Sequence, residues 1–182
     1  MVVTYVILRI SMNESLVKRI RAFLEVRDMP FFVATQGEQD CCCITKAYLL
    51  EKKLQDLGLK YRHKLCWFKW EEIGIPAAIL KVDHESLVSH QFLEVLIPET
   101  GNWALVDPTW DSGLTDVLPV NQWDGLSPTP CAVPIYRFCT DDETTRIFKA
   151  RLVQHSFDKQ GSFLRALNDY LAKVRTKYNN QA

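Results

Sequence analysis

Residues 90–110 read HQFLEVLI-PETGN-WALVDPTW, with two apolar, β-prone segments on either side of a cluster of turn-forming residues. The segments Phe92–Ile97 and Trp103–Val106 predict two strands, and Pro98–Asn102 predicts the turn between them. A hairpin of this kind joins antiparallel neighbours. These residues therefore predict an antiparallel sheet, and the elements around the hairpin indicate what that sheet packs against.

The register of this hairpin brings one imidazole next to one carboxylate. If Ile97–Thr100 make the turn, His90 lies opposite Asp107. Opposed residues project to one face with Cβ atoms about 4.5–5.5 Å apart, so the carboxylate can hold one ring nitrogen and leave the other for a thiol. A register shift of two residues keeps both side chains on one face, whereas a shift of one separates them.

Cys43 lies at the start of a predicted amphipathic helix. Apolar residues follow it at helical spacing, namely Ala47, Leu50, Leu54 and Leu57, and Gly58 supplies the stop. Because the stripe extends back four residues from Ala47 to Cys43, the thiol should face the sheet on which the helix packs. Unpaired N–H groups at a helix N-terminus favour negative charge and lower a thiol pKa, which makes Cys43 a candidate nucleophile.

The remaining segments predict helices around that sheet. The apolar run at residues 1–10 predicts an initial strand, and the capping-box spacing of Ser11 and Glu14 predicts a helix after it. No repeat, linker or change of composition divides the chain, so residues 1–182 are predicted to form one domain of the α+β class, with helices packed against an antiparallel sheet. The other predicted elements are a helix near 12–27, strands at 60–70 and around 133–139, and helices near 141–152 and 159–178.

Composition argues against several classes of protein. The 182 residues carry 22 Lys+Arg and 22 Asp+Glu, and this zero net charge argues against nucleic acid as the main partner. No apolar run approaches the roughly 18 residues of a membrane span, and the N-terminus lacks the features of a secretory signal. The six cysteines, three of them consecutive at 41–43, indicate reduced thiols in the cytoplasm rather than a disulfide framework. Met1 and Met12 are both candidate starts, and the oligomeric state is left open.

Three motifs within residues 43–111 resemble the transglutaminase-like superfamily of cysteine hydrolases, which shares its core architecture with papain-type proteases. The order of cysteine, histidine and aspartate and both spacings agree with that family. The motifs are Cys43-Ile-Thr-Lys-Ala47-Tyr-Leu-Leu50 with Leu57-Gly58-Leu59 before a strand, His90-Gln-Phe92-Leu-Glu94-Val95, and Trp103-Ala-Leu-Val106-Asp107-Pro108-Thr109-Trp110.

This resemblance implies a papain-like or transglutaminase-like core in which Cys43, His90 and Asp107 form a catalytic triad. Cys43 would attack an amide or peptide carbonyl, His90 would act as the base, and Asp107 would orient it. Net hydrolysis is favoured over protein crosslinking, since this length leaves no room for the calcium sites and extra β-domains of the crosslinking enzymes. The implied substrate is a peptide, a protein or a small amide, and no cofactor or metal is expected.

The oxyanion hole is indicated less clearly. Gln36 lies seven residues before Cys43, close to where papain-like enzymes place a glutamine, and is a weak candidate. The backbone N–H of Cys43 is a better one. Cys41 stands where family members commonly carry glycine. These two departures support an alternative from another class, a catalytically degenerate transglutaminase-like domain that acts as a protein-interaction module.

Other interpretations of the same residues are weaker. An arylamine N-acetyltransferase uses the same three residue types, but in a longer chain with a different cysteine motif. A zinc site at 41–43 lacks a second ligand pair at a suitable spacing. His84 is an alternative base, and Cys42 replaces Cys43 if the helix begins one residue early. The other expectations are core or edge thiols at Cys66, Cys131 and Cys139, shielding of the triad by Trp103 and Trp110, and caps or surface charges at Asp111 and Glu94.

Overall fold

The computed structural model describes residues 2–35, 40–153 and 161–179. In these ranges the chain forms five α-helices and one four-stranded antiparallel sheet, so the predicted α+β class with helices packed against an antiparallel sheet is confirmed. The elements in chain order are α1 Val2–Arg27, α2 Cys43–Asp56, β1 Tyr61–Lys69, α3 Ala77–Leu80, β2 Leu87–Ile97, β3 Asn102–Val106, β4 Arg137–Phe138, α4 Asp141–Val153 and α5 Gly161–Asn179.

The N-terminus is helical, so the strand expected at residues 1–10 is wrong wherever those residues are described. α1 begins at Val2 and runs without interruption to Arg27, past the capping-box residue Ser11. An unbroken apolar run has no period of two and fits a helix as well as a strand. Once the turns after Ser11 have formed, each further residue adds one hydrogen bond without a second nucleation cost.

The strands follow the order β3-β2-β1-β4, and each neighbouring pair is antiparallel. The predicted hairpin is β2–β3, but its turn lies at residues 98–101, one residue later than expected. Leu93 consequently pairs with Val106, which shifts the register by two residues. Because the side-chain period of a strand is two, this shift leaves His90 and Asp107 on a common face.

α2 forms where the apolar stripe predicted it. Ala47, Leu50 and Leu54 are fully buried. The helix ends at Asp56, and Gly58 then takes a φ of 69°, the left-handed conformation that glycine adopts without strain. The predicted helix and its stop are therefore confirmed.

Two apolar clusters cover the two faces of the sheet. The first packs α1 and α2 against β2 and β3 and includes Phe23, Val26, Ala47, Leu50, Leu54, Leu93, Val95, Ala104 and Val106. The second packs α5 against β1 and β2 and includes Cys66, Phe68, Phe92, Phe163, Leu164, Leu167 and Leu171. Cys42, just before α2, belongs to the second cluster, so α2 begins where the two clusters meet.

The later elements differ from expectation mainly in extent. β4 contains only two residues, far fewer than the strand expected around 133–139. Pro134 has no N–H to offer a ladder, and the residues before it bond to the chain after β3 instead. α5 forms where a helix was predicted near 159–178 and buries Leu164, Leu167 and Leu171, whereas the short α3 was not predicted. Across the described ranges, no helix has the length and apolar character that crossing a membrane requires.

Candidate active site

Three separate elements converge at one edge of the sheet. Cys43 is the first residue of α2, His90 lies within β2, and Asp107 directly follows β3. β2 and β3 are neighbours in the sheet, and α2 packs against the face of the first cluster. His90 projects to the other face with Cys66, and α2 begins where the two clusters meet. The hairpin and the helix therefore bring together a thiol, an imidazole and a carboxylate.

His90 and Asp107 form a buried hydrogen bond. Nε2 of His90 lies 2.7 Å from Oδ2 of Asp107, and the two side chains are 2% and 0% exposed. The rings of Phe68 and Phe92 flank the imidazole with centroids 6.1 and 6.2 Å away. Since little water reaches this contact, its electrostatic strength exceeds that of the same pair in solvent.

Both carboxylate oxygens of Asp107 accept further hydrogen bonds. Thr109 donates to Oδ1 from its backbone N–H at 3.2 Å and from its hydroxyl at 2.6 Å, and the Ala132 N–H donates to Oδ2 at 2.8 Å. Burial works against ionisation, but the charge of His90 and these donors hold the pKa of Asp107 below its ordinary value. An ionised carboxylate only accepts, so His90 donates from Nε2 and keeps Nδ1 for a thiol.

Asn121 links the backbone of Asp107 to the segment that carries Ala132. Its Nδ2 donates to the backbone oxygens of Asp107 and Pro130, each at 2.9 Å. The Asp107 N–H donates to the Thr129 hydroxyl at 3.1 Å, and the Thr129 N–H donates to the Leu105 carbonyl at 2.8 Å. These bonds give the carboxylate a fixed direction. Sequence analysis missed Asn121 and Thr129, because single polar residues in a proline-rich segment carry no periodic signal.

Cys43 is partly exposed as a residue, whereas His90 and Asp107 are buried. The pKa of Cys43 lies well below its ordinary value, first because of a hydrogen bond from the Cys42 thiol. Burial opposes this shift, while the imidazole of His90 and the backbone N–H of Gln91 add to it. These three neighbours are the donors that a thiolate requires.

The imidazole complements that thiolate. Burial opposes a charge on His90, but the charge of Asp107 and hydrogen bonds with Asp107, Cys131 and Cys43 raise the pKa of His90 well above its ordinary value. One pKa is lowered and the other raised, so both shifts favour a thiolate beside an imidazolium over the neutral pair. This ion pair is the reactive form of a thiol nucleophile.

The residues before α2 shape the mouth of the site. Cys42 is the N-cap in an extended conformation, and its backbone N–H donates to Oδ1 of Asp40 at 2.6 Å. The Cys42 pKa is raised well above its ordinary value, first by the hydrogen bond with Cys43 and then by burial, so Cys42 keeps its proton and donates it to Cys43. Burial, and to a lesser extent the charge of Cys43, raise the pKa of Asp40. Because α2 begins at Cys43 and Cys42 is its N-cap, the alternative in which Cys42 opens the helix is wrong.

Cys131 places a second thiol at the imidazole. Ligand atoms of Cys131, His90 and Asp107 lie within 4.8 Å of one another, and no other group of three such residues occurs in the described ranges. Both Asp107 oxygens are already occupied, and a metal ion would have to displace the bonds from His90 and Ala132. The arrangement therefore fits a hydrogen-bonded dyad better than a metal site. The sequence indicated only a core or edge thiol at position 131.

The sequence indicated two further candidates for the site. Gln36, the weak oxyanion candidate, lies outside the described residues. His84, the alternative base, has Nδ1 2.7 Å from the Val82 carbonyl oxygen and stacks on the Phe163 ring, with centroids 4.4 Å apart.

The two tryptophans expected to shield the triad differ from each other. Trp110 is buried, and its Nε1 donates to the Ala132 carbonyl at 2.7 Å, beside the donor to Asp107. Trp103 is 40% exposed, with the Arg62 guanidinium 4.4 Å from its ring centroid. The expected shielding role of Trp103 is therefore wrong.

Asp111 is not a surface charge. It is buried, and Arg175 donates to both of its oxygens, from Nε at 2.9 Å and from a terminal nitrogen at 2.7 Å. The backbone N–H of Phe31 adds a bond of 2.9 Å. This pair ties α5 to the loop after β3 and so supports the segment that carries Asp107.

Comparison with models of protein families, with curated proteins and with solved structures finds no significant match to this chain. The chemistry that the site can perform is therefore inferred from the geometry described above.

Proposed function

We propose that this protein is a thiol-dependent acyl-transfer enzyme that hydrolyses an amide or peptide bond through Cys43, His90 and Asp107. The observation that carries the proposal is the position of His90, bonded to Asp107 through Nε2 at 2.7 Å and to the Cys43 thiol on the same ring. A nucleophile, a base and an orienting carboxylate in this order form the arrangement of a cysteine hydrolase. The resemblance of residues 43–111 to the transglutaminase-like superfamily, with its papain-like core, agrees with it.

In the proposed reaction, the Cys43 thiolate attacks the carbonyl carbon, and a carbon–sulfur bond forms as the carbonyl oxygen takes the negative charge. The imidazolium of His90 donates its Nδ1 proton to the leaving nitrogen as the carbon–nitrogen bond breaks. Water then loses a proton to His90 and attacks the thioester, the carbon–sulfur bond breaks, and a carboxylic acid leaves while the thiolate and the imidazolium are restored. Amide and water are consumed, and an acid and an amine are formed.

The backbone N–H of Cys43 is the proposed oxyanion donor. It lies in the first turn of α2, where N–H groups have no partner within the helix. The positive end of the helix dipole favours both the thiolate and the developing oxyanion. The proposed substrate class is a peptide, a protein or a small amide.

The function is tested by alkylation and turnover in the same preparation. Iodoacetamide labelling at pH 6 is followed by mass spectrometry of the tryptic peptide 28–46, in which fragmentation separates Cys41, Cys42 and Cys43. Turnover is measured with peptidyl aminocoumarins, nitrophenyl esters and acyl thioesters. Cys43→Ala should abolish turnover of any hydrolysed substrate, whereas Cys41→Ala, a change at a neighbouring buried thiol, should retain it.

The comparison with His90→Gln distinguishes an enzyme from a binding module. In the proposed enzyme, this substitution raises the pKa of Cys43 and slows its labelling at pH 6 by about tenfold or more, since an adjacent opposite charge is worth 1–3 pKa units. If Cys43 reacts no faster than Cys139 and His90→Gln changes nothing, the degenerate protein-interaction module becomes the better interpretation.

A further inference from the structure

Two cysteines that lie 65 positions apart meet beside the imidazole. Sγ of Cys66 lies 4.0 Å from Sγ of Cys131. Cys66 pairs directly with His90 across β1 and β2, so both side chains project to one face of the sheet. Cys131 belongs to a segment held by the Thr129 N–H bond to Leu105 and the Ala132 N–H bond to Asp107. Backbone hydrogen bonds therefore hold the two segments that carry these sulfurs.

The distance between these sulfurs is short enough for a covalent link. A disulfide has an S–S length of about 2.05 Å, so closure requires an approach of about 2 Å. Cys131 belongs to a segment without regular secondary structure, while Cys66 is fixed within β1. We expect a change of side-chain rotamer at Cys131, with a small shift of its segment, to supply this movement.

The two thiols differ in accessibility and in acidity. Cys131 is partly exposed, whereas Cys66 is completely buried. A hydrogen bond from the Cys66 thiol, with a further contribution from His90 against the effect of burial, lowers the pKa of Cys131 to about 6. The same hydrogen bond, followed by burial, raises the pKa of Cys66 far above its ordinary value. An oxidant from solution therefore meets a thiolate at Cys131 and a protonated thiol behind it.

We propose that Cys131 is a site of oxidation by hydroperoxides and that Cys66 is its resolving thiol. The Cys131 thiolate attacks one oxygen of the peroxide, the O–O bond breaks, and Cys131 becomes a sulfenic acid while hydroxide or an alkoxide leaves. The Cys66 sulfur then attacks the sulfenic sulfur, the S–O bond breaks, and water leaves as the disulfide forms. With hydrogen peroxide, two thiols are oxidised, the peroxide is reduced, and two molecules of water are produced.

Disulfide formation also changes the surroundings of His90. The Cys131 thiol leaves the imidazole, and its segment carries the Ala132 N–H that holds Asp107. We therefore expect the oxidised protein to alkylate more slowly at Cys43 than the reduced protein. The oxidation itself does not depend on the proposed hydrolase function, because it requires only Cys66, Cys131 and the imidazole.

The experiment treats the reduced, full-length protein with one to a few equivalents of hydrogen peroxide at pH 6, blocks free thiols and maps crosslinks without reduction. Trypsin places Cys66 in the peptide 65–69 and Cys131 in the peptide 82–137, with one cysteine in each. The expected product links these two peptides, and reduction with dithiothreitol separates them. At pH 6, oxidation at Cys131 should be about tenfold faster than at an ordinary thiol, since the gain in thiolate fraction exceeds the loss of nucleophilicity.

Three substitutions sharpen this test. Cys66→Ser should leave a sulfenic acid at Cys131 that dimedone traps, and Cys131→Ser should leave position 66 unmodified. Cys139→Ser removes another buried cysteine near β1 and should still give the 66–131 link. The proposal is overturned if Cys131 stays reduced while other cysteines oxidise, or if it crosslinks to Cys43 or Cys139 instead of Cys66. Each of these outcomes is measured from modified or crosslinked peptides, so it can be distinguished from a loss of hydrolase turnover.

Discussion

His90 and Asp107 are bonded diagonally across the β2–β3 hairpin. Nε2 and Oδ2 lie 2.7 Å apart, although the last ladder pair, Leu93 with Val106, would place Asp107 opposite Phe92 if the ladder continued. Diagonal neighbours stay within reach of long side chains on the same face. Asp107 lies just beyond the last ladder pair, so bonds from Thr109, Ala132 and Asn121 set its direction instead. The dyad therefore depends on the loop after β3 as much as on the hairpin.

Asp107→Asn tests the orienting role of the carboxylate. An amide in this position can donate to Nε2 and hold the imidazole in the wrong tautomer, which costs about 10²- to 10⁴-fold in turnover. We expect a loss of this size in turnover, together with slower alkylation of Cys43 at pH 6. The matched control is Asp116→Asn, a change at an exposed aspartate, which should leave both rates unchanged. Equal rates in wild type and Asp107→Asn would contradict the role assigned to Asp107.

The pH dependence of alkylation tests the thiolate. The Cys43 pKa is lowered, first by Cys42 and then by His90, so the thiolate persists at pH values below the ordinary cysteine pKa of about 8.5. We expect the alkylation rate of Cys43 to reach half its maximum well below pH 8.5 and to shift upward in His90→Gln. Residue-resolved mass spectrometry provides Cys139 as an internal control. A Cys43 midpoint at or above that of Cys139 would exclude the ion pair.

Stability as a function of pH provides an independent test of the ion pair. The folded pKa of His90 is raised, so its contribution is fully present below the unfolded value of about 6.5 and is lost as pH rises through the folded value. The folded pKa of Cys43 is lowered, so its contribution has the opposite sign between that folded value and about 8.5. In wild type the two proton changes cancel, because the folded pair and the unfolded residues each carry one proton.

Cys43→Ala removes the contribution of Cys43 to the pH dependence and leaves that of His90. Relative to wild type, its free energy of unfolding should fall as pH rises above about 6.5, by up to about 1.4 kcal/mol per pH unit. Urea denaturation of both proteins at pH 6.5, 7.2 and 8.0 measures the difference. Lys46, whose pKa burial lowers to about 8, is common to both proteins and cancels in the comparison. A difference that stays constant with pH would show that His90 carries no charge of its own in Cys43→Ala.

Asp111→Asn tests the connection between α5 and the site loop. Asp111 is buried and accepts two bonds from Arg175 and one from the Phe31 N–H. Leaving the Arg175 charge without its partner should cost about 3–5 kcal/mol in unfolding free energy. The control is Glu143→Gln, which breaks the solvent-exposed pair with Arg137 and should change the urea midpoint far less. Equal effects of the two substitutions would contradict the assigned role of Asp111.

Local patterns were enough to predict most of the elements that position the site. The stripe behind Cys43 predicted α2, and the turn cluster at 98–102 predicted the hairpin, although its register was wrong by two residues. The face was nevertheless right, because the side-chain period of a strand tolerates an even shift. The apolar run at the N-terminus was assigned to a strand but is helical. An unbroken apolar run has no periodicity that distinguishes a strand from a helix.

The contacts that complete the site were beyond prediction from one sequence. Asn121 and Cys131 reach Asp107 and His90 through a proline-rich segment in which no period relates one residue to the next. Asp111 was expected to be a cap or a surface charge, because nothing local to it shows that the last helix returns Arg175 to the loop after β3.

Turn chemistry and side-chain periodicity act over a few residues, so the linear chain already specified a helix that opens on Cys43 and a hairpin that carries His90 towards Asp107. The direction of the Asp107 carboxylate, the meeting of Cys66 with Cys131 and the buried Asp111–Arg175 pair arose from chain segments separated by tens of residues. Such contacts form only when the whole core closes, because packing of both sheet faces compensates the entropy of ordering the long loops between them.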